Sequence, residues 1–482
     1  MPIRTIDYDE EFLLPPRVED WVPQDHPARY LRDFVDGLDL DALGFDTSYE
    51  PEGRARIAAD TLLKVWLFGY YFGIRSTRKL EAACREMMGA IWLCGNQAPD
   101  HTTLWRFWDR HRDAIGKLFK QSVHVAARVG LVQLALYALD GTTISAACSR
   151  RTGWNKKQLE KALEGLSGYL SQIERLIEEN ANTQAGSWEL EKRLQNAKMR
   201  REEISKALVE LENQQVESMH PHEPDAAVMN CGDGRKWAWN CQAVVDEANS
   251  IVVAADVTNE AHDARCLTTM LDQAVENLDG MRPDVCVVDS AYGRSEEEMA
   301  KAEQAGHSFV SSRPSAEKGP YHRSKFEFNR EALELVCPLG QQLRYVGSSA
   351  YRHGEGRVER FRCTCWRTCP AASACCGKSK NGRKVEISPL HEVVMRQREK
   401  VGYGQRLVLM NRRLKTVEPY FARTKHHGGF LRFLFRGKRK VRQQWQMLGL
   451  IHNLKVIEKA RRASRAALRC AVQATSRYCA AA

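Results

Sequence analysis

The 482-residue chain has no apolar run that approaches the ~18 residues a membrane-spanning helix requires. The opening Met1-Pro-Ile-Arg-Thr-Ile-Asp-Tyr-Asp-Glu-Glu contains no signal-peptide core, so a cytoplasmic chain is expected. It has fifteen cysteines but not one clean CxxC pair, so the spacing gives only a weak zinc signal. In this setting reduced thiols and metal ligands are expected rather than disulfides. Nothing in the sequence points to a Ser or Cys nucleophile. Charge balance is also missing: Lys+Arg 72 against Asp+Glu 61 gives +11. That excess favours polyanionic partners and says nothing about the fold.

Two short apolar runs each end in an acid. Leu134-Ala-Leu-Tyr-Ala-Leu-Asp-Gly-Thr-Thr-Ile144 reads as a buried strand interrupted by Asp140. Asp284-Val-Cys-Val-Val-Asp-Ser-Ala-Tyr-Gly293 repeats the arrangement with Asp289. A carboxylate in a buried strand is costly unless it is paired, hydrogen-bonded or bound to metal. Gly141 lets the backbone turn or be approached closely.

The remaining chain arranges itself around these strands. Residues 1–130 read as a helical N-terminal domain, after a Pro-punctuated start at Pro15-Pro16 and Pro23. Ser76-Thr-Arg-Lys-Leu-Glu81 and Asp100-His-Thr-Thr-Leu-Trp-Arg-Phe-Trp-Asp-Arg-His111 carry helix-start signals, with Asp100 or Thr102 as the cap of the second. Such a pair suits a helix-turn-helix with Arg106 and Arg110 toward DNA, or a plain bundle with solvated cations. Beyond the Asp140 strand and the basic Arg150-Arg151, Leu159, Leu163, Leu166, Leu170, Ile173 and Ile177 form a heptad stripe. Leu190, Leu194, Ala197, Ile204, Leu208 and Leu211 resume it after a polar break, and Pro221 and Pro224 end it, so 151–235 reads as an antiparallel helical hairpin. A spacer or dimerisation arm is its simplest role.

Strands at 237–246 and 251–258, a helix at 263–278, the Asp289 strand, a helix at 295–305 and a strand at 307–312 follow. The fold class predicted is α/β: a ribonuclease-H-like mixed sheet over 131–460, interrupted by the hairpin and by a Cys-rich insert at 314–385. A basic tail over 461–482 completes the chain. In the insert, Cys337, Cys365, Cys369 and Cys375 are candidate ligands for a structural zinc, beside Cys363 and Cys376; thiols in a loop-rich segment are the alternative.

Met410-Asn-Arg-Arg-Leu-Lys-Thr-Val-Glu-Pro-Tyr-Phe-Ala-Arg-Thr-Lys425 places Glu418 on a basic helix. Gly428-Gly-Phe-Leu-Arg-Phe-Leu-Phe-Arg-Gly-Lys-Arg-Lys-Val-Arg442 follows, basic with interleaved aromatics. With Asp100-His-Thr-Thr-Leu, Leu139-Asp-Gly-Thr-Thr, Val288-Asp-Ser-Ala-Tyr-Gly and His452-Asn-Leu, the order of motifs resembles prokaryotic insertion-sequence transposases of the DDE class over nearly the whole length. The resemblance implies Asp140, Asp289 and Glu418 as a catalytic triad that binds Mg²⁺ or Mn²⁺. It also implies DNA contacts by the basic helix and tail, here Arg413, Lys425, Arg436, Lys438, Arg439 and Lys440. Lys425 stands at the family's offset from Glu418, whereas the family's strict arginine position holds Leu414, next to Arg413. The implied function is cleavage of element ends and strand transfer on double-stranded DNA, by a nucleoid-associated homodimer. A nuclease of the same fold that cuts without joining, and a non-catalytic DNA-binding derivative, are the alternatives.

Overall fold

The computed structural model describes residues 17–48, 56–149, 153–180, 187–213, 218–220, 222–232, 234–312, 319–352, 356–377 and 379–479. Pro15-Pro16, Arg150-Arg151, Pro221 and the last residues of the tail lie outside them.

Six strands form the central sheet: β1 Leu136–Ser145, β2 Ala227–Asn230, β3 Arg235–Asp246, β4 Val252–Thr258, β5 Val285–Val288 and β6 Phe309–Ser311. Their order is β2-β3-β1-β5-β6, with β4 also pairing β3. β3 runs antiparallel to β1, and β5 and β6 run parallel to it. β1 and β5 read as continuous apolar runs because both of their faces are covered. The helices Leu267–Asn277 and Glu296–Gln304 connect β4 to β5 and β5 to β6. Ser295 caps the second, accepting from the Glu298 amide.

Helix Lys438–Cys479 joins the central sheet to the N-terminal helices. It packs on β4 and on helix Arg112–Arg128 of the N-terminal region. The basic stretch from 461, expected as a separate tail, is part of this helix, which continues to Cys479. Side-chain amides stitch the outer edge of β4. Asn453 bonds both the amide and the carbonyl of Val252, Asn277 donates to Val253 O, Gln273 accepts from Ala255 N, and Gln446 donates to Ala255 O. The N-terminal helices share one apolar core with the sheet, centred on Trp66, Trp108, Phe119 and Trp445. Asp100 caps helix His101–Arg110, accepting from Thr102 N and Thr103 N at 2.8 Å, as one of the two sequence candidates predicted.

Helices Lys156–Asn180 and Ser187–Asn213 pack together between β1 and β2. The ion pairs Lys156–Glu212 and Lys198–Glu174 show that they are antiparallel. At their base Trp154–Asn155 pairs with Ser218–Met219, so the chain leaves and returns at nearly one point. The heptad leucines meet there: Leu159, Ile204, Ala207, Leu211 and Met219 are buried together.

The 314–385 segment was expected to be irregular. Its described residues instead form a five-stranded antiparallel sheet from Glu327–Asn329, Glu334–Val336, Gln342–Ala350, Arg357–Arg362 and Lys384–Ile387. Strands this short give little periodicity to read.

Candidate active site

Asp140 and Asp289 meet because of register. β1 and β5 are parallel with Leu139 opposite Val288, so the next residue of each is a carboxylate at the same level. β5 ends at Val288 while β1 continues to Ser145, which opens a notch beside Asp140. Asp140 accepts from Gly141 N at 2.9 Å; Asp289 accepts from Ser290 N at 2.6 Å and Ser312 Oγ at 3.4 Å. Burial pushes the Asp140 carboxyl above its usual range, and the neighbouring Asp289 charge adds to that. Arg413 opposes both: its Nη1 stands 2.6 Å from Asp140 Oδ2.

Behind Gly141 lies a buried polar cluster. Asp263 Oδ1 accepts from Asn240 Nδ2 and Gln242 Nε2, each at 2.7 Å, and Gln242 Oε1 accepts from the Tyr292 hydroxyl. A Cβ on Gly141 would lie 2.4 Å from Gln242 Nε2 and 2.5 Å from Asp263 Oδ1. Only glycine lets β1 approach this cluster, so close packing rather than a turn is what the glycine provides. Sequence reasoning noticed Gly141 but not the partners, which come from three separate segments.

Helix Tyr403–Ala422 lies across β1, β3 and β5. Buried Arg406 anchors its start, donating to the carbonyls of Ser311, Gln397, Arg398 and Val401. Its buried residues are Arg406, Arg413, Thr416, Val417, Tyr420 and Phe421. Glu418 falls about 100° round the helix from Val417 and is exposed. Among the described residues no three His, Cys, Asp or Glu side chains stand close enough together to hold a metal ion. The structure therefore brings Asp140 and Asp289 together, leaves Glu418 on the outer side of the helix, and sets Arg413 against Asp140. Arg413, expected on DNA, is instead buried: its side chain is 8% exposed.

The other expected DNA cations divide. Arg106 is exposed. Arg110 pairs with Asp46, Arg439 with Asp113 and Lys440 with Asp109, and Arg436 donates to Ala147 O. Lys438 is half-buried, and its backbone amide donates to Asp225. Much of the basic run after Gly437 thus fastens the long helix to the N-terminal bundle. Lys425 behaves differently. The helix widens into a π turn over Arg423–His427, a device frequent at functional sites. Lys425 and His426 of that turn, with Lys236 and Arg432, line an open cleft of about 480 Å³. Its floor is Thr143 and Ser145 of β1, and Thr143 lies about 10 Å along the strand from Asp140. Burial lowers the Lys425 pKa. Leu431 O accepts from Ser145 N, and Phe433 N donates to Ser145 O, so the Gly428–Arg436 segment closes one wall. Lys236, His426 and Arg432 were not singled out from the sequence; they lie on three segments with no common motif.

Comparison with known families gives two matches. Residues 16–110 match a transposase domain (DUF772), and residues 336–458 match a transposase DDE domain. The second covers the Glu418 helix and much of the long C-terminal helix, but neither Asp140 nor Asp289. No curated protein and no solved structure matches the chain. Among the described residues no helix is long and apolar enough to cross a membrane.

Proposed function

We propose that the chain is an insertion-sequence DDE transposase, a reading supported by its two transposase-domain matches, and that it binds the ends of its element and catalyses metal-dependent strand cleavage and strand transfer at Asp140, Asp289 and Glu418. The single observation that carries this reading is the alignment of Asp140, midway along β1, with Asp289, just past the end of the parallel β5. The strand order supports a ribonuclease-H-like catalytic domain, with one antiparallel strand beside three parallel ones.

The donor chemistry fits a hard divalent cation. Two carboxylates converge, one of them buried and already balanced by a fixed positive charge. Asp140 and Asp289 would hold Mg²⁺ or Mn²⁺; Glu418, exposed on the outer side of its helix, would add a third oxygen only once that helix turns it toward the strand acids. When bound, the ion supplies charge neutralisation on the phosphate and an acidified attacking hydroxyl. The protein's own part is positional. Arg413 offsets part of the cost of charge on the buried Asp140 and would have to yield that carboxylate to the ion. Gly141 fixes β1 against the Asp263 cluster, so the carboxylate cannot drift. Lys425, Lys236 and Arg432 hold the phosphate backbone in the cleft beyond Thr143. The attacking oxygen is that of water in cleavage and a DNA 3′-hydroxyl in joining, so the protein forms no covalent intermediate.

The test is strand cleavage and joining of pre-cut ends by Asp140→Asn, Asp289→Asn and Glu418→Gln. Each is expected to lose both reactions in Mg²⁺ and keep DNA binding. A Glu418→Gln protein with near-full activity would remove Glu418 from the triad and leave the two strand acids. Cleavage without joining by the unmodified protein would make it a nuclease.

A further inference from the structure

The satellite sheet at 327–387 buries few apolar side chains: Phe326, Leu335, Leu343, Phe361, Val385 and Ile387 make up its core. A core this small rarely holds a fold without a cross-link or a metal. The core is instead bordered by sulfur. Cys337, Cys363, Cys365, Cys369, Cys375 and Cys376 all line one small cavity beside Phe326 and Leu343. They come from three segments: the turn after Val336, the loop after Arg362, and the short helix Ala372–Cys376.

Two thiols already stand at ligand spacing. Cys363 Sγ and Cys365 Sγ are 3.6 Å apart. The edge of a ZnS₄ tetrahedron with Zn–S near 2.3 Å is about 3.8 Å, whereas a disulfide needs about 2.05 Å. Groups that stabilise thiolates are in place too. Gln341 N donates to Cys337 Sγ at 3.4 Å, and Arg383 Nη1 donates to Cys375 Sγ at 3.7 Å. Acids and imidazoles are absent from the cavity lining, which selects a thiophilic ion over Mg²⁺.

We propose that this sheet is a zinc module in which Cys363 and Cys365, with two of the other four cavity cysteines, hold one Zn²⁺. Each ligand gives up its thiol proton to solvent as its sulfur bonds the ion. All six cysteines are half-buried and line the same cavity; no three of them yet stand at ligand distance, so binding has to draw the remaining two toward Cys363 and Cys365. The ion would tie the turn, the loop and the helix together, doing for this sheet what its small core cannot.

The experiment is elemental analysis of the full-length protein purified under reducing conditions, with a Co²⁺-substituted sample. Expected are about one zinc per chain, and a cobalt spectrum with thiolate charge-transfer and intense tetrahedral d–d bands. Cys363→Ser/Cys365→Ser should lose both signals, whereas Cys266→Ser, outside the cavity, should keep them. Should the double variant not fold, proton release and thiol protection during Zn²⁺ titration of the metal-stripped wild type provide the same readout. Zinc-free protein with no cobalt spectrum, or six thiols that react only after reduction of disulfides, would overturn the proposal. Neither outcome depends on DNA cleavage, so it stands or falls apart from the catalytic reading.

Discussion

Replacing Arg413 by Met isolates the electrostatics of the site. The guanidinium side chain is 8% exposed and the Asp140 side chain 20%, with 2.6 Å between them. Removing one partner of a buried pair costs about 3–5 kcal/mol. Asp140 is a fifth exposed and keeps its bond from Gly141, so a loss of about 2–3 kcal/mol is expected at neutral pH. The loss depends on pH. Burial already raises the Asp140 pKa, and without Arg413 it rises further. A carboxyl whose folded pKa is raised binds its proton more tightly when folded, so stability falls as pH rises from the usual carboxylate range through the folded value. The gap between Arg413→Met and wild type should therefore be widest near pH 8 and shrink as the pH falls and Asp140 takes up its proton in the variant. The assay is thermal melting at pH 5 and pH 8, with and without Mg²⁺. With the competing cation gone, Mg²⁺ should stabilise the variant more than the wild type, by mass action on a freed ligand. Equal melting of the two proteins at both pH values would refute the reasoning, as would equal stabilisation by Mg²⁺. Either would mean that the pair is energetically silent and that Arg413 does not hold the metal's place.

Three further predictions follow from other parts of the molecule. Lys425→Ala should weaken binding to a random duplex and reduce the slope of log affinity against log salt by about 1, because one phosphate contact is lost; an unchanged slope in anisotropy titrations would put the cleft off the DNA path. Burial pushes Glu223 up to about 7, where it accepts from Gly437 N at the start of the long helix. Its folded pKa is raised, so stability is lost as pH climbs through that value; Glu223→Gln should melt like wild type at pH 5 and above it at pH 8, and parallel melting curves would refute the assignment. Replacing residues 155–217 by a short Gly/Ser linker should leave a cooperative melt with altered assembly in sedimentation, since Trp154 and Met219, which remain, already pair where the chain leaves and returns; loss of the cooperative melt would make the helices part of the core.

The two strand acids were legible because a carboxylate closing an apolar run is costly and therefore conspicuous. Their alignment was not, because register belongs to a pair of strands and each was read alone. The heptad leucines announced two helices, and Leu159, Ile204 and Leu211 do meet in one seam. Arg413 misled for a physical reason. One arginine in a basic helix reads as solvated, and only helical phase shows that 413 shares a buried stripe with 417 and 420 while 418 does not. The same phase explains why Glu418, placed by its motif, stands apart from the strand acids. The Cys-rich segment hid its strands because three of the five span only three or four residues.

The amide ladder along β4 has a consequence for how copies of this protein can meet. An outer strand normally offers its free amides and carbonyls to any passing strand, which is the commonest route to unwanted sheet growth. Here Asn277, Gln273, Gln446 and Asn453 occupy those groups from two helices. A neighbouring chain cannot add a strand at these positions without first stripping four amides from their partners. Association through continuous sheet is blocked at this edge, so a second copy approaching it would meet side chains rather than free backbone.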